Sequence, residues 1–310
     1  METLSYRLYA GSITALKKAS KTIWWLLKLI IPISLLVSLL QYWGIIALIA
    51  VWLKPAFSLL GLPGEGAIVF ISSIFLPLYG PIAIISTLPL TVREITILAL
   101  MCLVSHNLLV ETAIQKKTGS SAFIMFFMRL SVSVAGAILL NYLLPAQVGG
   151  NHIVEKIMEF PTIWDMLLNW LKSSAFLSFK IALIISGLMM LQNILKEFRI
   201  LDLISRTFAP FMRIMGLSDD SSFLWFVAQT LGLAYGSVVM IEEVENHEIT
   251  PQSANLLNYH IAVNHSLLED TLLFVAIGVP AGWIITPRFV FAIGIVWMVR
   301  LVSKIRHQKG

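Results

Sequence analysis

Residues Ser105–Thr112 read SHNLLVET and residues Asn264–Thr271 read NHSLLEDT. Each segment places a His, an amide or hydroxyl neighbour, two leucines and one or two carboxylates inside a stretch otherwise apolar enough to cross a bilayer. Ionisable groups are expensive in lipid, so the same order occurring twice decides the fold. The chain reads as two copies of one membrane unit, folded so that these two segments meet.

Composition gives the class. The chain has 310 residues, 58% hydrophobic and 13% charged, with a mean hydropathy of +0.86. A soluble domain carries about 25% charged residues. Several runs approach the roughly 20 residues needed to span a bilayer. The expected fold is therefore an all-α polytopic membrane protein, with loops too short to hold a soluble domain. The single cysteine, Cys102, excludes a disulfide framework and a cysteine metal cluster, and reads as small apolar filler. The net charge of +5 resides at span ends, which points to membrane orientation and not to nucleic acid. The first apolar run, from Ile23 to about Leu40, follows Lys17, Lys18 and Lys21 without an A-x-A-like cleavage site, and is expected to be a retained span.

Walking outward from the two segments reveals the repeat. Pro55 and Gly61-Leu62 recur as Pro210 and Gly216-Leu217, 155 residues on, and Tyr79-Gly80 as Tyr235-Gly236, 156 on. Thr91, His106, Leu108-Leu109, Thr112 and Arg129 recur 159 residues on as Thr250, His265, Leu267-Leu268, Thr271 and Arg288. A constant order that includes Pro, Gly, His and Arg marks a duplicated unit. This divides the chain into a first repeat (1–145), a linker (146–165) and a second repeat (166–310). Each repeat holds spans flanking an apolar segment interrupted by turn-formers. Expected spans are Ile23–Gln41, Val92–Ala113, Ser121–Leu144, Ser173–Leu195, Pro251–Ile277 and Arg288–Lys304. The interrupted segments are Gly64–Thr87 and Ser218–Ile241, and an amphipathic stretch, Lys196–Met215, suits the headgroup plane.

Charge arbitrates whether the interrupted segments cross or return. Re-entrant hairpins with an inside N-terminus put thirteen Lys and Arg inside and five outside, Arg288 among the latter; full crossings give ten and eight. The hairpin arrangement follows the positive-inside rule. It leaves three spans per repeat, an odd number, so the second repeat is inverted relative to the first, an architecture of many secondary transporters. Both termini are then cytoplasmic.

The helix carrying each His opens on a cap, Thr91-Val-Arg-Glu94 in one copy and Thr250-Pro251 in the other. Each His lies fifteen residues on, about 22 Å along its helix and well inside a core of about 30 Å. Candidate substrate-binding residues are His106, Asn107, Glu111, Asn264, His265, Glu269, Asp270, Gln229 and Thr230. Hairpin tips are expected at Pro77, Tyr79 and Gly80, and at Gly232, Tyr235 and Gly236. The alternative for each His is a ring bonded to nearby backbone that only locks the repeats together, and for Glu111 an interfacial pair with Lys116 and Lys117. Asn258, Ala262, His265 and Glu269 descend one face of an ideal helix, and His265 and Glu269 pair at i,i+4. His106 and Glu111 are five apart, so a symmetric metal cage requires the helices to unwind here, and the metal assignment stays open.

The order Gly61-Leu62, hairpin, Pro89-Leu90-Thr91…Glu94, Ser105–Thr112, Lys116-Lys117, Arg129 and Asn141 before Pro145 resembles the nucleoside recognition, or gate, domain family of prokaryotic membrane proteins. That family includes spore-maturation membrane proteins. It is similar to the membrane gate region of the ferrous iron permease and to the hairpin-plus-helix core of concentrative nucleoside transporters. The iron permease's cysteine-bearing gate motif and GTPase domain have no counterpart, nor do the acidic and Gln/Thr motifs of the nucleoside transporters. The resemblance implies a secondary transporter of a small solute (nucleoside-like, ion or organic anion) in the prokaryotic cytoplasmic membrane. No catalytic residue or cofactor is expected. Expected partners are the lipid bilayer, a small-molecule or ion substrate, and a further copy or related membrane protein. The other readings are a partner-dependent assembly or maturation factor and, with no HExxH present, a metal-dependent membrane enzyme.

Overall fold

The computed structural model describes residues 4–148, 161–198 and 200–309, and every regular element among them is helical. In order these are α1 (Leu4–Tyr42), α2 (Ile45–Ser58), α3 (Gly66–Phe75), α4 (Tyr79–Ile85), α5 (Val92–Ser105), α6 (Leu108–Lys117) and α7 (Ala122–Leu143). Then follow α8 (Ile163–Glu197), α9 (Ile200–Ile214), a 3-10 turn (Asp219–Ser221), α10 (Ser222–Glu245), α11 (Pro251–Val263), α12 (Leu267–Val275) and α13 (Ala281–Lys309). The centre of the linker, 149–160, falls outside the described residues.

Four helices form the centre. α5 packs on α7 and α11 on α13, and the two pairs touch through α11 with α5 and α7 and through α13 with α5 and α7. Every residue of α5 from Thr96 to Ser105 is buried, as is every residue of α11 from Leu257 to Val263. A helix covered all round is a core helix, even when, like α11, it carries Asn258 and His260. Both begin as their sequences require. Thr91 and Glu94 close a reciprocal capping box, and Thr250 accepts from the Ser253 amide ahead of Pro251 at the first turn.

The two longest helices, α1 and α8, pack against each other outside this centre, joined where Trp170 Nε1 donates to Ser34 Oγ at 3.0 Å. Their outer faces present Trp24, Trp25, Trp164, Phe176 and Phe179. α7 adds Phe123 and α2 adds Trp52, which is 86% exposed. Large apolar side chains turned outward on helices this long are a lipid-facing surface. Among the described residues five stretches are long and apolar enough to cross: Ser12–Tyr42, Val92–Lys117, Ala122–Leu143, Ile163–Leu195 and Ala281–Ile305. The chain is a multi-pass helical membrane protein. The sixth expected span, Pro251–Ile277, is not among them; it is broken at Asn264–Ser266 into helices of 13 and 9 residues, and Val92–Lys117 is itself interrupted at His106-Asn107. α9 turns Met212 inward, and Leu203, Phe211 and Ile214 outward beside Arg206 and Arg213; Met215, just after it, is also buried.

Both interrupted segments fold back on themselves. α3 ends at Leu76, which is extended (φ −118°, ψ 152°), and α4 returns along it from Tyr79. The second turns at Gly232, whose φ of +83° within α10 is a backbone that side chains rarely adopt. There a Cβ on Gly236 would lie 3.2 Å from Ala228. Eight residues of straight helix would separate them by about 12 Å. Arg288 departs from the sequence reading. It is fully buried within α13 and is not a loop charge; its Nε and Nη2 donate to backbone carbonyls.

Candidate functional site

The two motif segments meet at the centre, and both are broken helices. α5 stops at Ser105 and α6 starts at Leu108, with Asn107 left-handed between them (φ 46°, ψ 34°). α11 stops at Val263 and α12 starts at Leu267, with Ser266 left-handed (φ 48°, ψ 42°), 159 residues after Asn107. Such conformations are uncommon outside glycine and hold only when the surroundings over-determine them.

Here the surroundings do so twice, with matched bonds. A break frees carbonyls that a continuous helix would satisfy. Arg129 from α7 takes up two of them, donating from Nε to Val104 O at 2.7 Å and from Nη2 to His106 O at 3.0 Å. Arg288 from α13 does the same to Val263 O (3.3 Å) and to His265 O. The amide that each break exposes points at a folded-back segment. Asn107 N donates to Ser73 O at 2.7 Å and to Leu76 O at 3.1 Å, and Ser266 N to Ala228 O at 3.0 Å. Gly232 completes the second arrangement, since a Cβ there would lie 3.1 Å from Ser266 Oγ.

The imidazoles face each other across this junction, with ring centroids 5.2 Å apart. His106 Nδ1 lies 3.1 Å from Cys102 O and His265 Nδ1 lies 2.7 Å from Ile261 O. A carbonyl only accepts, so Nδ1 donates in both rings and Nε2 is turned into the junction. Two carboxylates meet them. Glu111 Oε1 is 3.2 Å from His106 Nε2 and 3.5 Å from His265 Nε2, while Arg129 Nη2 holds Oε2 at 2.7 Å. Asp270 Oδ2 lies 4.0 Å from His106 Nε2 and has no hydrogen-bond partner. All four residues are buried. Each ring thus bonds backbone of its own helix through Nδ1, at the preceding turn, and meets the carboxylates through Nε2.

The remaining candidates divide. Asn264 joins through its carbonyl, which accepts from Gln229 Nε2 at 2.5 Å, and its buried side-chain amide has no partner. Thr230 does not join: its hydroxyl returns to Phe226 O and its carbonyl accepts from Gln192. Glu269 does not pair with His265, because the left-handed Ser266 resets the helical phase, so i,i+4 spacing no longer describes neighbours. Its carboxylate instead accepts from Tyr79 Oη at 2.5 Å, 190 residues earlier in the chain. Glu111 is no interfacial partner of Lys116 and Lys117, which are exposed at the end of α6. Pro77 sits in the first reversal and Gly80 is packed on Leu76, where a Cβ would come within 2.8 Å. Tyr235 lies in α10, with its side chain outside the described set.

Arg129 was legible only as a repeat marker and Arg288 as a repeat marker and a span-end charge, although a charge inside an apolar run was itself the signal. A second polar junction escaped notice too. Asn258 Nδ2 donates to Thr118 Oγ1 (2.8 Å) and Ser120 Oγ (2.9 Å), and Ser120 donates to Asn255 Oδ1 (2.7 Å).

A family model described as Gate, nucleoside recognition, matches residues 23–146, the half that carries Ser105–Thr112 and Arg129. YvoD, an uncharacterized membrane protein of Bacillus subtilis, is 31% identical over 279 residues, covering 88% of each chain. The chain belongs to the nucleoside recognition, or Gate, family. No solved structure matches it. In this Gate protein the matched half supplies His106, Glu111 and Arg129 to the junction, and the remainder of the chain supplies His265, Asp270 and Arg288.

Proposed function

We propose that this Gate protein is a secondary transporter that carries a small polar or charged solute by alternating access. Its two repeats (1–145 and 166–310) would lie inverted in a prokaryotic cytoplasmic membrane, each with three spans and a re-entrant hairpin, and both termini cytoplasmic. The observation that carries the reading is the meeting of two broken helices from different halves, with four buried ionisable side chains turned to one point. Discontinuous helices at the midplane expose backbone and side-chain groups to a solute where a continuous helix would hide them. The paired clamps, 159 residues apart, support duplication, and the two reversals support hairpins. Nothing in the junction resembles a nucleophile positioned beside a base, so transport is favoured over catalysis.

Two experiments test this. Uptake into proteoliposomes, screened over nucleosides, organic anions and ions under proton and sodium gradients, is expected to reveal a solute whose flux falls at least tenfold in His106→Ala and His265→Ala. No movement under any gradient defeats the transport reading. Topology is tested on a Cys102→Ala background with single cysteines labelled by an impermeant reagent. Lys117→Cys is expected inside, Gln147→Cys and Gly282→Cys outside; Lys117→Cys outside with Gln147→Cys inside would mean that the first hairpin crosses, and Gln147→Cys and Gly282→Cys on opposite faces would mean that the second does.

A further inference from the structure

The donor set at the junction is more specific than a generic polar site. Both rings spend Nδ1 on a carbonyl, at Cys102 and Ile261, which leaves each Nε2 with its lone pair turned inward when the ring is neutral. A backbone-anchored Nδ1–H is the usual support of a metal-binding imidazole, since it fixes both tautomer and ring angle. The inward atoms are otherwise all acceptors: Glu111 Oε1 faces both rings and Asp270 Oδ2 has no donor. Acceptors gathered on acceptors in a buried site call for a positive charge between them, which either a proton on Nε2 or a bound cation supplies.

The spacing fits one ion. Ligand atoms about 2.0–2.1 Å from zinc sit about 3.3 Å apart at the corners of a tetrahedron. The observed separations are 3.2 Å (His106 to Glu111), 3.5 Å (His265 to Glu111) and 4.0 Å (His106 to Asp270). His106, His265 and Asp270 place their ligand atoms within 4.8 Å of one another. Glu111 is not one of that trio but already lies at tetrahedral spacing from both rings, and drawing the trio in asks for shifts of up to about 1.5 Å, for which Asp270, the carboxylate that no guanidinium pins, is free to move. Two imidazoles with carboxylate oxygens favour zinc and its borderline neighbours over magnesium or calcium, which prefer all-oxygen shells.

We propose that His106, His265, Glu111 and Asp270 form a binding site for one divalent transition-metal cation, held between the two broken helices. As the cargo or coupling ion of the transporter it rests on the function proposed above; as a binding site it stands on the geometry alone. Arg129 shapes the site by holding Oε2 of Glu111, which directs Oε1 at the ion, and its positive charge limits affinity. A site that must release its ion needs such moderation, so binding is expected in the micromolar range.

The test uses the full chain in detergent, without a polyhistidine tag, stripped with a chelator and titrated with zinc. Calorimetry and elemental analysis are expected to give one zinc per chain. X-ray absorption on the unaltered protein is expected to show two nitrogen and two oxygen ligands at about 2.0–2.1 Å. Replacing both rings (His106→Ala with His265→Ala) is expected to weaken binding at least a hundredfold and Asp270→Asn about tenfold. His247→Ala and His260→Ala are expected to leave it unchanged. No saturable zinc binding, a shell without nitrogen, or full binding by the double variant would overturn the proposal. Vesicles that move another solute while the purified chain binds no zinc would remove the metal and leave the transporter. Zinc bound in the stated shell with nothing crossing would do the reverse.

Discussion

At Ser105–Thr112 the helix resumes after Asn107, Glu111 turns into the junction and Arg129 holds both the freed carbonyls and that carboxylate. At Asn264–Thr271 the helix resumes after Ser266 and Arg288 holds the equivalent carbonyls, but the shorter Asp270 forms no ion pair with it among the described residues. The second segment also has Glu269, committed to Tyr79 in the other half, where the first segment has the apolar Val110. Backbone, clamp and ring are therefore alike in the two segments, while the acidic side chains differ. Common parts make the helix break. Divergent parts decide what meets inside it.

The clamps should separate the halves most. Arg129→Ala strands Glu111 as well as two carbonyls, and is expected to cost about 3–5 kcal/mol, the scale of breaking a buried ion pair. Arg288→Ala strands carbonyls alone and is expected to cost about 1–3 kcal/mol. Thermal midpoints in detergent compare the two, and equal losses would show that Glu111 adds nothing to the first clamp. Next is the bond that exists on one side only. Tyr79→Phe removes a hydrogen bond to a carboxylate and is expected to cost about 1.5–3 kcal/mol, read in the same assay.

The two reversals give a smaller contrast. Gly232→Ala forces a side chain into a φ of +83° and against Ser266, and is expected to cost about 1–2 kcal/mol. Pro77→Ala leaves an extended Leu76 that any residue adopts, so it should cost less; proteolysis rates in vesicles rank the pair. Smallest is Arg213→Ala at the exposed pair with Asp219. Arg213 holds the Asp219 carboxyl below its ordinary value, first by hydrogen bonding. The folded-state pKa is depressed, so any stability gained is present above the ordinary carboxylate range and is lost as pH falls through the lowered value. Solvent screening makes it slight, and the midpoint at neutral pH should barely move.

The sequence held the membrane class, the duplicated order and both helix caps, because spans, glycines, prolines and capping spacings act through local chemistry. His106 and His265 were found because a charge in lipid is costly wherever the chain goes next. The partners were hidden for a definite reason. Glu269 and Asp270 exchange roles once Ser266 turns left-handed, and ideal helical phase cannot be carried across that residue. Arg288 read as a span-end charge because α13 begins at Ala281, a full two turns before it. Gln229 and Thr230 are adjacent in sequence, yet one bonds Asn264 and the other its own helix.

The guanidinium clamps have a mechanical side. Each imidazole is tied through its Nδ1 to the turn before it, and the carbonyl of the same histidine is gripped by an arginine rooted in α7 or α13. Ring, hinge and outer helix are thus linked in one short lever on each side. A shift of either ring would therefore be carried to α7 or α13 through the arginine that grips its carbonyl.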